Sequence, residues 1–271
     1  MNSQLNINLR RLIYRFAPSQ VVTIFKKYYY PYVMKTADAT REVDTYIADK
    51  LVSEDDIVVD IGANIGTYTT YLSKLVGPKG CVYSLEPVKV TYDILQSNVS
   101  RLGLSNVIAI NCAASNHNEY IHMKIPKFSI GTPNYYRAEI VTQSKVADDV
   151  ELVEAETRRL DDIFVDIEEN LSFIKCDVEG HEMECLEGAL SVIRKSQPAW
   201  LIEIDGNIAN GKKEQTSSPV FDFLKAEGYS PFWFDGQKLN KSTHNAQSVN
   251  YWFLSSSHIK TLMLNGISVA G

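Results

Sequence analysis

From residue 57 onward, short apolar runs alternate with stretches whose apolar residues recur every three or four positions. "IVVDIG" (57–62), "GCVYSLEP" (80–87), "NVIAINCAAS" (106–115), "LSFIKCDVEG" (171–180) and "AWLIEIDG" (199–206) have the length and continuity of buried strands. Between them, 65–76, "TYDILQSNVSRLGL" (91–104) and "HEMECLEGALSVIRKS" (181–196) have helical spacing. Gly103 falls near the end of the second helix, and Pro198 follows the third. Continuous apolar strands separated by amphipathic helices predict a parallel sheet covered on both faces. With right-handed crossovers, that is an α/β, Rossmann-like, doubly wound fold.

Two stretches break the rhythm. Residues 118–156 show no long helical period and read as a hairpin-rich insertion. Near the C-terminus, "GYSPFWFDGQKL" (228–239) and "SVNYWFLS" (248–255) are aromatic, strand-like runs joined by a polar loop. They predict an antiparallel hairpin closing one edge of the sheet. Residues 41–52 read as a helix leading into the core. Residues 1–45 form a separate N-terminal helical arm or lid, and 46–271 the main domain. The first 37 residues hold no Asp or Glu but carry Arg10, Arg11, Arg15, Lys26, Lys27 and Lys35. Two roles stand open for this arm: packing on the domain or across a homodimer, and contact with an anionic surface such as the inner membrane.

Composition narrows the class. The chain has 271 residues with 45 % hydrophobic and 22 % charged, ordinary for one large globular domain. A net charge of −6 argues against nucleic acid as the partner. No run approaches the roughly 20 apolar residues of a membrane span, and no signal-peptide pattern opens the chain. Cys81, Cys112, Cys176 and Cys185 lack metal-site spacing and read as reduced thiols of a cytoplasmic protein.

The chemistry gathers at the carboxyl ends of the strands, where ligands of such sheets bind. The first strand runs into Asp60-x-Gly62-Ala63-Asn64-x-Gly66. A dinucleotide site wants a glycine where Asp60 stands, and an acid there repels a pyrophosphate but welcomes an ammonium or sulfonium. Glu86, at the end of the second strand, is placed to accept both hydroxyls of a ribose. Ala114 leaves room for a flat ring, and Asn116 offers hydrogen bonds to an adenine edge.

The segments "VVDIGANIGTYT", "SLEP", "NCAASN" and "IKCDVEGHE" resemble the class I S-adenosylmethionine-dependent methyltransferases. "DVEGHEMECLEGA" followed by "PAWLIEI", with "TRRLDDI" (157–163) before them, resembles the narrower FkbM family. That resemblance covers roughly 50–205. It implies S-adenosylmethionine as cofactor, with the methionine portion at Asp60, Gly62, Ala63, Asn64 and Gly66, the ribose at Glu86, and the adenine beside Ala114 and Asn116. It also implies methyl transfer to a hydroxyl of a sugar, glycan precursor or related metabolite.

For the transfer itself, His181 is the expected general base, because its unperturbed pKa lies near neutrality. Asp177, which also borders the cofactor, Glu179 and Glu203 are expected to orient the acceptor. No metal ligand set is assigned. Acids at the ends of the fourth and fifth strands, Asp177, Glu203 and Asp205, leave a shared Mg²⁺ or Mn²⁺ open. Tyr135, Tyr136, Trp233 and Trp252 stand as pocket or packing aromatics. The rival readings are a nicotinamide-dependent oxidoreductase, a binding module, and a methyltransferase with a nitrogen, carboxyl or protein acceptor.

Overall fold

The computed structural model describes residues 43–125, 138–140, 151–168, 170–204, 219–241 and 248–270. The central sheet has five mutually parallel strands: β1 (Ile57–Ile61), β2 (Cys81–Leu85), β3 (Val107–Ile110), β8 (Leu171–Cys176) and β9 (Ala199–Glu203). Their spatial order is β3-β2-β1-β8-β9, so chain order reverses at β1 and opens a crevice between β1 and β8. β12 (Asn250–Leu254) pairs antiparallel with β9, and β10 (Ser230–Phe234) pairs antiparallel with β12.

The two aromatic C-terminal runs therefore pair antiparallel with each other as expected, and further strands extend the edge beyond them. β12 slots between β9 and β10, and the edge is finished by β11 (Lys238–Lys241) and β13 (Ser268–Ala270). Here Trp252 is fully buried, with its ring 5.6 Å from Phe173. Its indole N–H donates to Asp44 Oδ1 at 2.9 Å, and Asn250 donates to Asp44 Oδ2 at 2.9 Å. Asp44 thus fastens the start of the described chain, with helix α1 (Thr45–Leu51), to the middle of the sheet.

Side chains alternate between the two faces, and each face carries its own core. Val58, Val82, Phe173, Leu201 and Trp252 pack under α1, α2 (Thr67–Val76) and Leu262 of the helix Ser256–Leu264. Val59, Ile61, Leu85, Ile174, Cys176 and Ile202 pack against the opposite helices, Glu182–Glu187, Leu190–Ser196 and Pro219–Ala226. The four cysteines are free, and Cys176 and Cys185 sit with their sulfurs 3.8 Å apart in the second core.

Three expectations change in detail. The run 106–115 is two strands, because after Ile110 the chain leaves the large sheet. Ala113–Ala114 (β4) joins a second sheet with β7 (Glu151–Arg158), β5 (Glu119–Ile125) and β6 (Glu139–Ile140). The helix expected over 181–196 breaks at Gly188, where a Cβ would stand 1.9 Å from the Ser115 carbonyl oxygen. Two helices, Pro219–Ala226 and Ser256–Leu264, add to the predicted set. The Leu-Asp-Asp segment proves to be a fastener: Asp161 Oδ1 accepts the Ser191 and Val192 N–H groups at 2.9 and 3.1 Å, capping the helix Leu190–Ser196. Among the described residues no helix is long and apolar enough to cross a membrane. The arm 1–45 lies outside the described residues apart from its last three positions.

Gly188 is a packing requirement with a direct test. Gly188→Ala is expected to lower stability by about 1–3 kcal/mol through overpacking, read as a shifted urea midpoint at constant slope.

Candidate functional site

The site starts where β1 ends. Gly62 has φ +74°, and a Cβ on it would stand 1.8 Å from the Asp177 carbonyl oxygen. Only a residue without a side chain lets the ends of β1 and β8 come this close. The Gly62 and Ala63 N–H groups both donate to the Leu85 carbonyl, at 3.0 and 2.9 Å, tying the turn to β2. Asn64 also takes a positive φ of +53°, and its side chain accepts from the Ile65 N–H at 2.8 Å. Gly66, at φ +92°, opens the helix Thr67–Val76.

Glu86 answers this turn from the next strand. One carboxylate oxygen accepts the Asn64 N–H and the other the Val88 N–H, each at 2.9 Å. The residue is 5 % exposed. Burial pushes its carboxyl up to about 7, against the pull of those two amides, with Asp60 and Asp177 adding to the rise. Glu86 borders a cavity of about 190 Å³ shared with Gly62, Asn64, Cys112, Ala113, Ala114, Asp177, Glu179, His181 and Glu203. Asn116 is not among these. Its amide donates to Glu187 Oε2 at 2.6 Å, and its oxygen meets His117 Nδ1 at 2.7 Å. It does not border this cavity.

His181 lies at the N-cap of the helix Glu182–Glu187, without capping it by its side chain. Its Nε2 is 2.9 Å from Ser115 Oγ and its Nδ1 is 3.4 Å from Glu184 Oε2. Burial holds the imidazole below its usual pKa although Glu184 opposes this, so the ring is neutral at pH 7. Glu179, at φ +52°, and Gly180, at φ +96°, form the bend before it, and Glu182 Oε1 accepts the Gly180 N–H at 2.8 Å.

A second, larger cavity of about 930 Å³ adjoins the first through Gly62, Asn64, Asp177 and Glu203. Its floor comes from the alternation of side chains. On the face whose lower part is Val58, Phe173, Leu201 and Trp252, the positions toward the carboxyl end are Asp60, Lys175, Glu203 and Asn250. Asp60 is wholly buried. Its Oδ2 accepts the Thr69 hydroxyl at 2.6 Å, and among the described residues Oδ1 has no hydrogen-bond partner. Burial pushes its carboxyl up, while Lys175 and Thr69 hold it down.

Lys175 is the functional candidate that hydropathy alone does not single out, a lone cation inside the run LSFIKC. It neighbours Asp60 across the strands, and its Nζ is 3.0 Å from Asp177 Oδ2 and 5.5 Å from the centre of the Tyr68 ring. Burial disfavours its charge, but the Asp177 and Asp60 carboxylates outweigh that and raise it, so it remains an ammonium. Trp233, Asp44 and Asp235 complete the outer wall.

The structure therefore brings together Asp60, Gly62, Ala63, Asn64, Glu86, Ala114, Asp177, Glu179, His181 and Glu203 around two adjoining cavities. Gly66 sits just behind, shaping the turn, and Asn116 lies outside. Asp205, Tyr135 and Tyr136 fall outside the described residues. Among the described residues no three His, Cys, Asp or Glu side chains converge as a metal site.

Comparison with known proteins bears on this site. The sequence model of the family "Methyltransferase FkbM domain" matches residues 60–231. "Methyltransferase 1" of Beauveria bassiana is 25 % identical over 147 residues, which is 50 % of this chain and 59 % of that protein. "Hexuronic acid methyltransferase AglP" of Haloferax volcanii is 30 % identical over 142 residues, 52 % of this chain and 53 % of that protein. The chain thus spans between half and three-fifths of the length of these curated relatives. Among solved structures, the methyltransferase FkbM from Methylobacillus flagellatus aligns with TM-score 0.49 and 20 % identity, covering 92 % of this chain and 59 % of that one. The family match takes in both glycines of the opening turn, Glu86, and the whole of β8 with the acids beyond it, and on that match this chain belongs to the FkbM methyltransferase family.

Proposed function

We propose that this protein is an S-adenosylmethionine-dependent O-methyltransferase acting on a hydroxyl of a sugar, glycan precursor or related metabolite. The observation that carries the reading is the pairing of two dissimilar cavities at one crevice. The smaller is walled by Ala113, Ala114 and the buried, doubly anchored Glu86; the larger is floored by Asp60, Lys175 and Glu203. Glu86 would accept the ribose hydroxyls, and Ala113 and Ala114 would border the purine. The unshared Asp60 oxygen would face the positive end of the methionine portion. The residues present thus suit this donor, which when bound supplies an electrophilic methyl on a sulfonium. The hexuronic acid named for the relative AglP supports a sugar-like acceptor.

In-line transfer needs an acceptor oxygen aligned with the methyl and relieved of its proton. Asp177 and Glu203 border both cavities and are the carboxylates best placed to take that proton. His181 was the expectation for this task. Its nitrogens face Ser115 and Glu184, and it borders the smaller cavity only, so its role here is to hold the wall beside the donor. Lys175 fixes Asp177 and supplies a counter-charge to Asp60.

Two outcomes are expected. Hydroxyls donate better to an ionised carboxylate, and Glu86 titrates at about 7 in the free protein. Donor binding should therefore require loss of that proton and weaken as pH falls through 7, by up to about tenfold per unit. It should level off above pH 8. Calorimetry with S-adenosylhomocysteine from pH 5.5 to 8.5 measures this, and Glu86→Gln should give a flat, weaker profile. Second, Asp177→Asn and Glu203→Gln should cut kcat by about 10²-fold or more while leaving S-adenosylhomocysteine affinity within a few fold. His181→Ala should act mainly on that affinity. Single-turnover rates beside binding titrations separate the two patterns, and a large kcat loss in His181→Ala alone would return the base role to His181.

A further inference from the structure

The register between β1 and β8 sets two opposite charges side by side and leaves part of each unspent. Asp60 and Lys175 are direct neighbours across these parallel strands, so their side chains rise from one face, and both border the larger cavity. Asp60 is wholly buried. Thr69 occupies its Oδ2, and among the described residues its Oδ1 has no hydrogen-bond partner. Lys175 donates to Asp177 Oδ2 at 3.0 Å, and its Nζ lies 5.5 Å from the centre of the Tyr68 ring, a contact that holds the charge without a hydrogen bond. An ammonium has three hydrogens to donate, and the bond to Asp177 takes one. Only 15 % of the Lys175 side chain is accessible, so little water can serve the other two. A buried carboxylate oxygen beside an ammonium with hydrogens to spare matches a group that carries both charges on one carbon. The α-amino acid end of the methyl donor is such a group. Its ammonium answers Asp60, and its carboxylate answers Lys175. A ligand with the ammonium alone would meet Lys175 as a like charge.

We propose that Lys175 binds the α-carboxylate of the donor, so that Asp60 and Lys175 together read its zwitterionic end and reject a donor that has lost its carboxyl group. The inference rests on the donor reading above and adds to it a residue that sets donor specificity. Lys175 keeps its bond to Asp177 while doing so. One ammonium then links the amino-acid end of the donor to a carboxylate that borders both cavities.

The test compares S-adenosylhomocysteine with its decarboxylated analogue, which keeps the ammonium and lacks only the carboxyl group, by calorimetry on the full chain. The unaltered protein should prefer S-adenosylhomocysteine by about tenfold or more, the scale of one charge-assisted hydrogen bond. Lys175→Met should remove most of that preference by weakening S-adenosylhomocysteine, with the analogue bound as well as before or better. Lys175→Arg should keep much of it, and Asp60→Asn should weaken both ligands alike, because each carries the ammonium. NMR with lysine labelled at Cε gives a reading that does not depend on how Lys175→Met folds. S-adenosylhomocysteine should shift the Lys175 signal, assigned by its loss in Lys175→Arg, more than the analogue does. Equal affinity of the unaltered protein for both ligands, a preference that survives Lys175→Met, or equal shifts of the Lys175 signal overturns the proposal. If S-adenosylhomocysteine binds without a carboxyl preference, only the role of Lys175 falls; if it does not bind, the donor reading beneath falls as well.

Discussion

The contact on which the rest depends is the approach of Gly62 to the backbone of Asp177. Two parallel strands end side by side, and the chains beyond them must diverge to opposite faces of the sheet. With a Cβ only 1.8 Å from a carbonyl oxygen, any other residue at 62 would force the ends apart. Opening them would pull Asn64 away from Glu86 and move Asp177 relative to Lys175. Both cavities meet at this point, so the distance between their contents is set by backbone packing. Side-chain choice tunes what each cavity holds, whereas this contact decides that they adjoin.

Around that contact the protein keeps charge in a place that normally excludes it. Asp60 and Lys175 are neighbours in the interior of the sheet, with Thr69 and Ser84 linked by hydrogen bonds beside them. Such a pair offsets its desolvation poorly and is weak evidence for stability. Its placement at the crevice, with one Asp60 oxygen unshared, fits a site that leaves electrostatic demand for a ligand to meet. Glu86 follows the same logic, since burial raises it to about 7 and a hydrogen-bonding ligand would favour its ionised form.

Much of this was legible in the sequence because strand interiors are written in continuous apolar runs. The parallel strands and the acids at their ends follow from such runs and from their punctuation by Gly and Pro. The insertion's β-character follows from the lack of helical period. What escaped was decided by contacts distant in sequence. Gly188 reads as an ordinary helical glycine until Ser115 is brought against it. Asn116 follows a strand end as a ligand residue should, but its amide is turned to Glu187 and it does not border the smaller cavity; His181 does border that cavity, and only the structure shows its Nε2 meeting Ser115. The final helix was not among the elements expected from the sequence, and the structure shows Ser255 and His258 capping it reciprocally. Lys175 was visible as the one charge in LSFIKC, and only the register showed that it faces Asp60.

That register has a consequence for how the protein can change. Asp60, Lys175, Glu203 and Asn250 reach one face because each stands an even number of steps from an apolar residue on the same strand. One residue gained or lost within a strand would turn the row over, sending the acids into the opposite core and apolar groups into the cavity. Lengths inside these strands can drift only in pairs, or with a bulge to absorb the odd residue. Divergence among relatives should accordingly collect in the connections beyond the strand ends, where an insertion alters the cavity's mouth without disturbing its floor.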